Sequence, residues 1–291
     1  MARNSFGGWC GCRNESTSST TNRPQGTRIR KEVKLVAVHF LAVNLLLAMA
    51  LPAQAAATNQ LPAITHISPP EQGFFAKQLL CKGIPIKAPA VVADAALFAA
   101  GDRITRLLRH LPLVDSNLVA AGVELHLIGK DQVTTDLPEW RQDKGVRLAE
   151  YNGLTRDQRT RGMGGRLVSC GEENLLQLQN DRYRGRDICL HEFAHAIRNY
   201  GMAAATRSTF DAQYRRSLAK KLWVNSYAAS NPDEFFAELT MWYFGTHGDL
   251  NMAGPKPENG PEGLKAYDPE AYARFDAFYG GRLAASLIQG Q

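Results

Sequence analysis

The spacing of apolar residues predicts both helices and short strands along the chain. Leu97 and Ile104 share one face of a helix that begins near Asp94 and ends before Pro112. Residues 123–128 are apolar and β-branched and lie between two glycines, a pattern that predicts a short strand. These signals together predict an α+β fold with a small mixed sheet and a mostly helical C-terminal half.

Two further stretches have a weaker pattern. Residues 56–90 contain five prolines and no clear periodicity, so we expect an extended lead-in that wraps onto the core. The glycine-rich stretch 161–165 leads into the apolar pair at 167–168. We interpret it as a bent edge strand beside a cleft or as a surface hairpin. In the first case its glycines are candidate substrate-binding positions, because an extended peptide pairs with a strand edge. They are Gly162, Gly164 and Gly165.

Residues 1–55 have the order of an export signal. A basic stretch ends at Lys34, residues 35–51 are almost entirely apolar, and small residues at 53–55 suit a signal peptidase. We therefore expect a mature chain that starts near Ala56 and is exported to the periplasm or the extracellular space. The alternative is an uncleaved N-terminal membrane anchor, because about 17 apolar residues approach the length of a membrane span.

Composition and charge exclude some classes of protein. Of the 291 residues, 44% are hydrophobic and 21% are charged, which fits neither a disordered chain nor a polytopic membrane protein. The net charge of +6 would suit a nucleic-acid partner if it were spread over the folded part. Residues 1–55 carry +5 of it, and 27 basic against 26 acidic residues follow. We therefore expect no nucleic-acid partner.

Export would place the cysteines in a compartment where disulfides persist. Cys81, Cys170 and Cys189 lie beyond the leader. We favour one bridge between Cys170 and Cys189 with Cys81 as the remaining thiol. Three buried, reduced thiols are the alternative.

The candidate metal-binding and catalytic residues lie in a strongly apolar helical segment over 188–200. This segment contains the run His191-Glu192-Phe193-Ala194-His195, a match to HExxH. His191 and His195 are four residues apart and share a helix face, so they can present two imidazoles to one metal ion. Glu192 lies one step around the helix, where its carboxylate can take a proton from a metal-bound water. Without a metal, an apolar helix would bury these polar groups at a cost.

A third ligand is predicted downstream. Arg198 and Gly201 stand where the metzincin pattern requires glycine and histidine, so that pattern is excluded. A second apolar helix opens with an N-cap residue and a proline, over 231–245. Within it Glu234 and Glu238 are four residues apart and share a face. One can bind the metal while the other accepts a hydrogen bond from a liganding histidine.

The HEFAH helix and the segment from Tyr227 to Glu238 resemble the catalytic domain of the anthrax lethal-factor-like zinc metallopeptidases, a group that includes the Pro-Pro endopeptidases. The resemblance covers about residues 186–245 and implies a zincin-like fold for residues 91–291. It implies that Glu234 binds zinc, that Glu238 supports the site and that Tyr227 donates a hydrogen bond to the tetrahedral intermediate. The chain shows no counterpart to the toxin's receptor-binding or substrate-docking domains, so a toxin role is not implied.

The resemblance implies an endopeptidase that acts on a peptide or protein substrate, and the predicted export signal implies that it is exported. One zinc ion per chain would be held by His191, His195 and Glu234, and Glu192 would be the general base for attack by a zinc-activated water. The alternative is a catalytically silent zincin-fold domain that binds a protein or polysaccharide partner. Glu192 favours the enzyme, because a purely structural zinc site needs no base. The sequence does not predict an oligomeric state.

Overall fold

The sheet is mixed and lies in the N-terminal half of the molecule. The computed structural model of the protein describes residues 63–248 and 253–283, and the predicted leader, its cleavage site and the anchor alternative lie outside them. In the described part, five strands pair in sequence order, the first three antiparallel and the last three parallel. The strands are β1 (Ile64–Glu71), β2 (Phe75–Cys81), β3 (Ile84–Ala88), β4 (Glu124–Ile128) and β5 (Leu167–Gly171).

Residues 64–88 build three of these strands, where the sequence pattern predicted an extended lead-in. Lys82 and Gly83 both have positive φ, 51° and 81°, and form the two-residue hairpin loop between β2 and β3. Pro69 and Pro70 lie in β1, the outermost strand, where a missing N–H costs least. The prolines hide the strand pattern in the sequence, but β2 and β3 contribute buried side chains to the main core.

The first predicted helix begins at Asp94, as expected, and ends at Leu107 with Leu97 and Ile104 buried. Pro112 is also the first residue of the next helix, because a proline is tolerated in the first turn of a helix. Over the described residues, no helix is both long and apolar enough to span a bilayer. The helices are α1 (Asp94–Leu107), α2 (Pro112–Ala120), α3 (Arg156–Arg159), α4 (Glu172–Leu175), α5 (Ile188–Ala196), α6 (Ala204–Ala219), α7 (Pro232–Phe244), α8 (Pro261–Tyr267) and α9 (Pro269–Tyr279).

An aromatic cluster holds the C-terminal helices together. The Phe210 ring of α6 packs edge to face against three rings at centroid distances of 4.9, 5.1 and 5.4 Å, those of Phe236, Phe275 and Phe278. On its other side α7 packs against α5, which in turn contacts β5. The HExxH helix therefore lies between the sheet and the helical half, and the predicted α+β class with a mostly helical C-terminal half is confirmed.

Candidate metal centre

The helix that carries the HExxH segment, α5, is fixed at its N-terminus by side chains. The Asp187 carboxylate accepts a hydrogen bond from the backbone N–H of Leu190 at 3.0 Å, and so caps the helix. Oδ1 of Asn174 accepts from the N–H of Ile188 at 2.8 Å, and Nε of Arg103 donates to Asp187 at 2.9 Å. These contacts satisfy N–H groups that a helix leaves without partners and fix where α5 begins.

A disulfide links α5 to the sheet. Cys170 in β5 and Cys189 in α5 are bonded, with their Cα atoms 5.1 Å apart. Cys81 is a free, buried thiol that contacts the Gly101 carbonyl oxygen and the Thr105 hydroxyl, both at 3.4 Å. Because Cys189 is two residues before His191, the bridge ties the start of the HExxH segment to the strand beside it.

Three ligand atoms converge between α5 and α7. Nε2 of His191 and Nε2 of His195 are 3.1 Å apart, and Oε2 of Glu234 lies 3.2 Å from the first and 3.5 Å from the second. Ligand atoms bound to one tetrahedral zinc at about 2.05 Å are separated by about 3.3 Å. All three residues are buried, at most 2% exposed. The predicted pair of histidines and the predicted downstream glutamate therefore meet in one place.

The two imidazoles and the Glu234 carboxylate are oriented toward one shared metal position, and the carboxylate is poorly oriented for hydrogen bonds to the imidazoles. Oε2 of Glu234 is buried and has no correctly oriented hydrogen-bond donor within the described residues, although two imidazole nitrogens lie within 3.5 Å. A buried carboxylate oxygen in this state is costly unless a cation occupies the space that it faces. The donor set of two imidazoles and one carboxylate suits a divalent metal such as zinc.

Local structure explains why Glu234 reaches this position. Asn231 caps α7, its Oδ1 accepting hydrogen bonds from the N–H groups of Asp233 and Glu234 at 2.9 Å each. Pro232 occupies the first turn, and the helix ends at Gly245, which has φ 70°. These are the start and stop residues expected from the sequence.

Glu238 lies behind the first histidine and has three neighbours. Its Oε1 is 3.2 Å from Nδ1 of His191 and accepts a hydrogen bond from Nη2 of Arg186 at 2.6 Å. Its Oε2 is 2.8 Å from Nε2 of His247. The His247 ring is fully buried and stacks on the ring of Trp242, with 3.3 Å between the ring centroids. No pattern in the sequence singled out Arg186 or His247. Neither residue has a motif spacing that could have indicated this contact.

The electrostatics of the cluster keep its carboxylates ionised. Burial acts against the charged form of His191, but the neighbouring carboxylates of Glu234 and Glu238 outweigh it and raise the pKa of this imidazole to about 10. Burial likewise opposes ionisation of Glu234, and the charges of His195 and His191 lower its pKa to about 2. Burial is also overcome at Glu238, where the Arg186 guanidinium holds the pKa well below its usual range. Two ionised carboxylates thus flank the imidazoles, which compensate their charge.

Glu192 and the predicted glycines lie on the sheet side of the cluster. The side chain of Glu192 is buried, and its carboxylate lies within 4.8 Å of the imidazole nitrogens of His191 and His195. Met163 pairs with Ser169 of β5 through backbone hydrogen bonds of 3.0 and 2.9 Å, so the stretch around it runs antiparallel to this strand.

This pairing brings two of the glycines against α5. A Cβ at Gly164 would lie 2.9 Å from Cβ of His195 and 3.2 Å from Oε2 of Glu192, and a Cβ at Gly162 would lie 3.0 Å from Cγ of Glu192. Gly165, with φ 136°, faces open space. Only a backbone without side chains at the first two positions can come this close to the helix.

Tyr227 begins a short 3-10 turn, Tyr227–Ala229, that packs against α7 in front of its N-cap. The side chain is half-buried. The structure thus places Tyr227 on the segment that leads into the helix bearing Glu234.

Comparison with known proteins adds a structural likeness. No family model matches the chain, and no curated protein is significantly similar to it in sequence. Among solved structures, the chain is similar to a Pro-Pro endopeptidase from Paenibacillus alvei, with 20% sequence identity and a TM-score of 0.45. The alignment covers 62% of this chain and 89% of the endopeptidase. The assignment of the site therefore rests on the geometry of this chain's own residues.

Proposed function

We propose that this protein is a zinc-dependent endopeptidase that hydrolyses peptide bonds in a peptide or protein substrate. The observation that carries the proposal is the convergence of Nε2 of His191, Nε2 of His195 and Oε2 of Glu234 beside the carboxylate of Glu192. Catalytic zinc sites use three protein ligands of these types and leave the fourth position to water or substrate.

Each residue has a defined task in this reaction. His191, His195 and Glu234 would hold a zinc ion, which would supply a Lewis acid that polarises the scissile carbonyl and lowers the pKa of the attacking water toward about 7. Glu192 accepts the proton of that water and delivers it to the nitrogen of the leaving amine. Tyr227 donates a hydrogen bond to the developing oxyanion, a contribution of about 3 kcal/mol by analogy with other oxyanion donors. Glu238, whose Oε1 lies 3.2 Å from Nδ1 of His191, orients the ring so that Nε2 faces the metal.

The substrate is proposed to bind in an extended conformation along the stretch 161–165, which itself pairs with β5 through Met163 and Ser169. The support is the close approach of the Gly162 and Gly164 backbone to α5, next to a strand at the end of the described sheet. An extended peptide bound along such an edge gains main-chain hydrogen bonds whatever its side chains are.

Export is part of the proposal. It is supported by the order of basic, apolar and small residues in 1–55 and by the Cys170–Cys189 disulfide, since such bonds persist in oxidising compartments. An exported enzyme would act on a substrate in the cell envelope or outside the cell.

The test is the turnover of a broad peptide library by the purified chain from Ala56 onward, compared with Glu192→Gln. We expect cleavage by the wild type, loss of cleavage in the variant and unchanged zinc content in both, because Glu192 moves a proton and does not bind the metal. If both proteins bind zinc and neither cleaves the library, the endopeptidase proposal fails and the silent binding domain is favoured.

A further inference from the structure

The turn that follows α5 contains a buried arginine that the proposed chemistry does not use. Residues Ile197–Gly201 form a π-helical turn that continues α5, and Arg198 is its second residue. Arg198 comes three residues after His195 and is only 5% exposed. Single π-helical turns are frequent at functional sites, where they change the direction of the side chains that they carry.

The guanidinium of Arg198 connects three helices. Its Nε donates to Oδ1 of Asp233 at 2.6 Å, and its Nη2 donates to Oδ1 of Asp211 at 2.5 Å. Asp233 lies in the first turn of α7, directly before Glu234, and Asp211 lies in α6. The side chain therefore bridges the extension of the helix that carries His195 and the residue next to Glu234.

Stability alone is a poor explanation for this arrangement. Removing a guanidinium from water carries a large desolvation cost, and an apolar side chain of similar volume is often as stabilising as a buried ion pair. Asp211 and Asp233 remain 32% and 29% exposed, so water screens both pairs. Nη1 of Arg198 is buried without an acceptor in the part of the chain that the structure describes, which adds a further cost.

We propose that Arg198 is a positioning residue of the metal centre. By holding Asp233 it sets the first turn of α7 against the end of α5, and so places Oε2 of Glu234 near Nε2 of His195, 3.5 Å away. Arginine suits this task because its planar fork binds two carboxylates in fixed directions, which the single ammonium of lysine does not do. The inference rests on the proposed function, since it takes the cluster to bind zinc.

The experiment measures zinc affinity by competition with a chelator, together with the thermal unfolding of the zinc-free protein. The proteins are the wild type, Arg198→Met, Asp233→Asn and, as a matched control, Asp211→Asn. Arg198→Met and Asp233→Asn should weaken zinc binding by about tenfold or more, the usual effect of losing a residue that orients a ligand. Asp211→Asn should leave the zinc affinity unchanged, because Asp211 contacts the same guanidinium without adjoining a ligand.

The outcomes separate this inference from the proposed function. Wild-type zinc affinity in Asp233→Asn, or an equal loss in Asp233→Asn and Asp211→Asn, overturns the positioning role while leaving the endopeptidase proposal in place. A wild-type protein that binds no zinc overturns the proposed function itself. Should Arg198→Met fail to fold, the two asparagine variants decide the question, because each removes one charge from a partly exposed residue.

Discussion

Nδ1 of His191 lies 3.2 Å from Oε1 of Glu238, on the opposite side of the imidazole ring from the nitrogen that faces Glu234. A carboxylate at this place holds the proton on Nδ1 and leaves the lone pair of Nε2 available to a metal. Arg186 donates to the same Oε1 and keeps that carboxylate ionised. The two glutamates of α7 thus have different surroundings, although they are one helical turn apart.

This division predicts different effects on metal content. Glu234→Ala should remove tightly bound zinc, because two imidazoles alone do not complete the ligand set. Glu238→Gln should keep about one zinc per chain but weaken the affinity by about tenfold to a hundredfold. Metal analysis and chelator competition measure both effects, with Glu192→Gln as the control that retains zinc. Zinc retained at wild-type affinity by Glu234→Ala would contradict the assignment.

Zinc binding should release a proton from His191. Because the pKa of His191 is raised to about 10 in the metal-free protein, this imidazole is protonated at neutral pH. The metal binds only the deprotonated ring, so zinc affinity should increase with pH, by about tenfold per pH unit below that pKa.

Calorimetry in buffers of different ionisation enthalpy measures the number of protons released on zinc binding. We expect about one per zinc ion at pH 7. An affinity that does not change between pH 6 and pH 8, measured with the same chelator, would rule out this proton exchange.

Reduction of the Cys170–Cys189 bridge should destabilise the protein. The bridge closes a loop with a sequence separation of 19, for which the loss of unfolded-state entropy is worth about 3 kcal/mol. The double variant Cys170→Ser/Cys189→Ser should lower the free energy of unfolding by about this amount in a denaturant titration. Cys81→Ser is the control, because Cys81 forms no bond to another cysteine. An unchanged midpoint in the double variant would show that the bridge contributes no stability.

A buried histidine outside the metal centre predicts a pH dependence of stability. Nε2 of His126 lies 3.0 Å from Glu124 and Nδ1 lies 2.7 Å from Glu139, so both ring nitrogens can donate only when the ring is charged. Burial opposes that charge, but the two carboxylates outweigh it and raise the pKa of His126. Lys87 also faces Glu124, at 2.7 Å, and the ring of Phe75 covers the imidazole.

The sign of the effect follows from the direction of this shift. The pKa of His126 is higher in the folded protein than the value of about 6.5 expected in the unfolded chain. The protonated ring therefore stabilises the folded state fully at pH values below about 6.5. This stabilisation is lost as the pH rises through the folded-state pKa. Denaturant titrations with a chelator present should therefore show that the difference in unfolding free energy between the wild type and His126→Gln shrinks as the pH rises. His66→Gln, at an exposed position, is the control. A difference that grows with pH would contradict the prediction.

The local sequence pattern was sufficient to predict a feature where its motif or helix signal consists of neighbouring residues. The HExxH spacing placed His191 and His195 on one helix face, since the period of the helix alone decides this. Asn231, Pro232 and Gly245 marked the ends of α7 for the same reason, because capping depends on neighbouring residues. The sequence pattern did not predict the first three strands, because the prolines in residues 64–88 interrupt the alternation of apolar and polar residues. In the structure these strands share one sheet with β4 and β5.

Contiguous residues were enough to identify the groups that can bind a metal and the helices that carry them. The packing of the folded chain brings Glu234 to the two histidines, Arg186 and His247 to Glu238, and Arg198 to Asp233. These contacts join residues that are 9 to 52 positions apart in the chain. No local periodicity specifies such pairs, because their distance is set by how α5, α7 and the sheet pack around a common core.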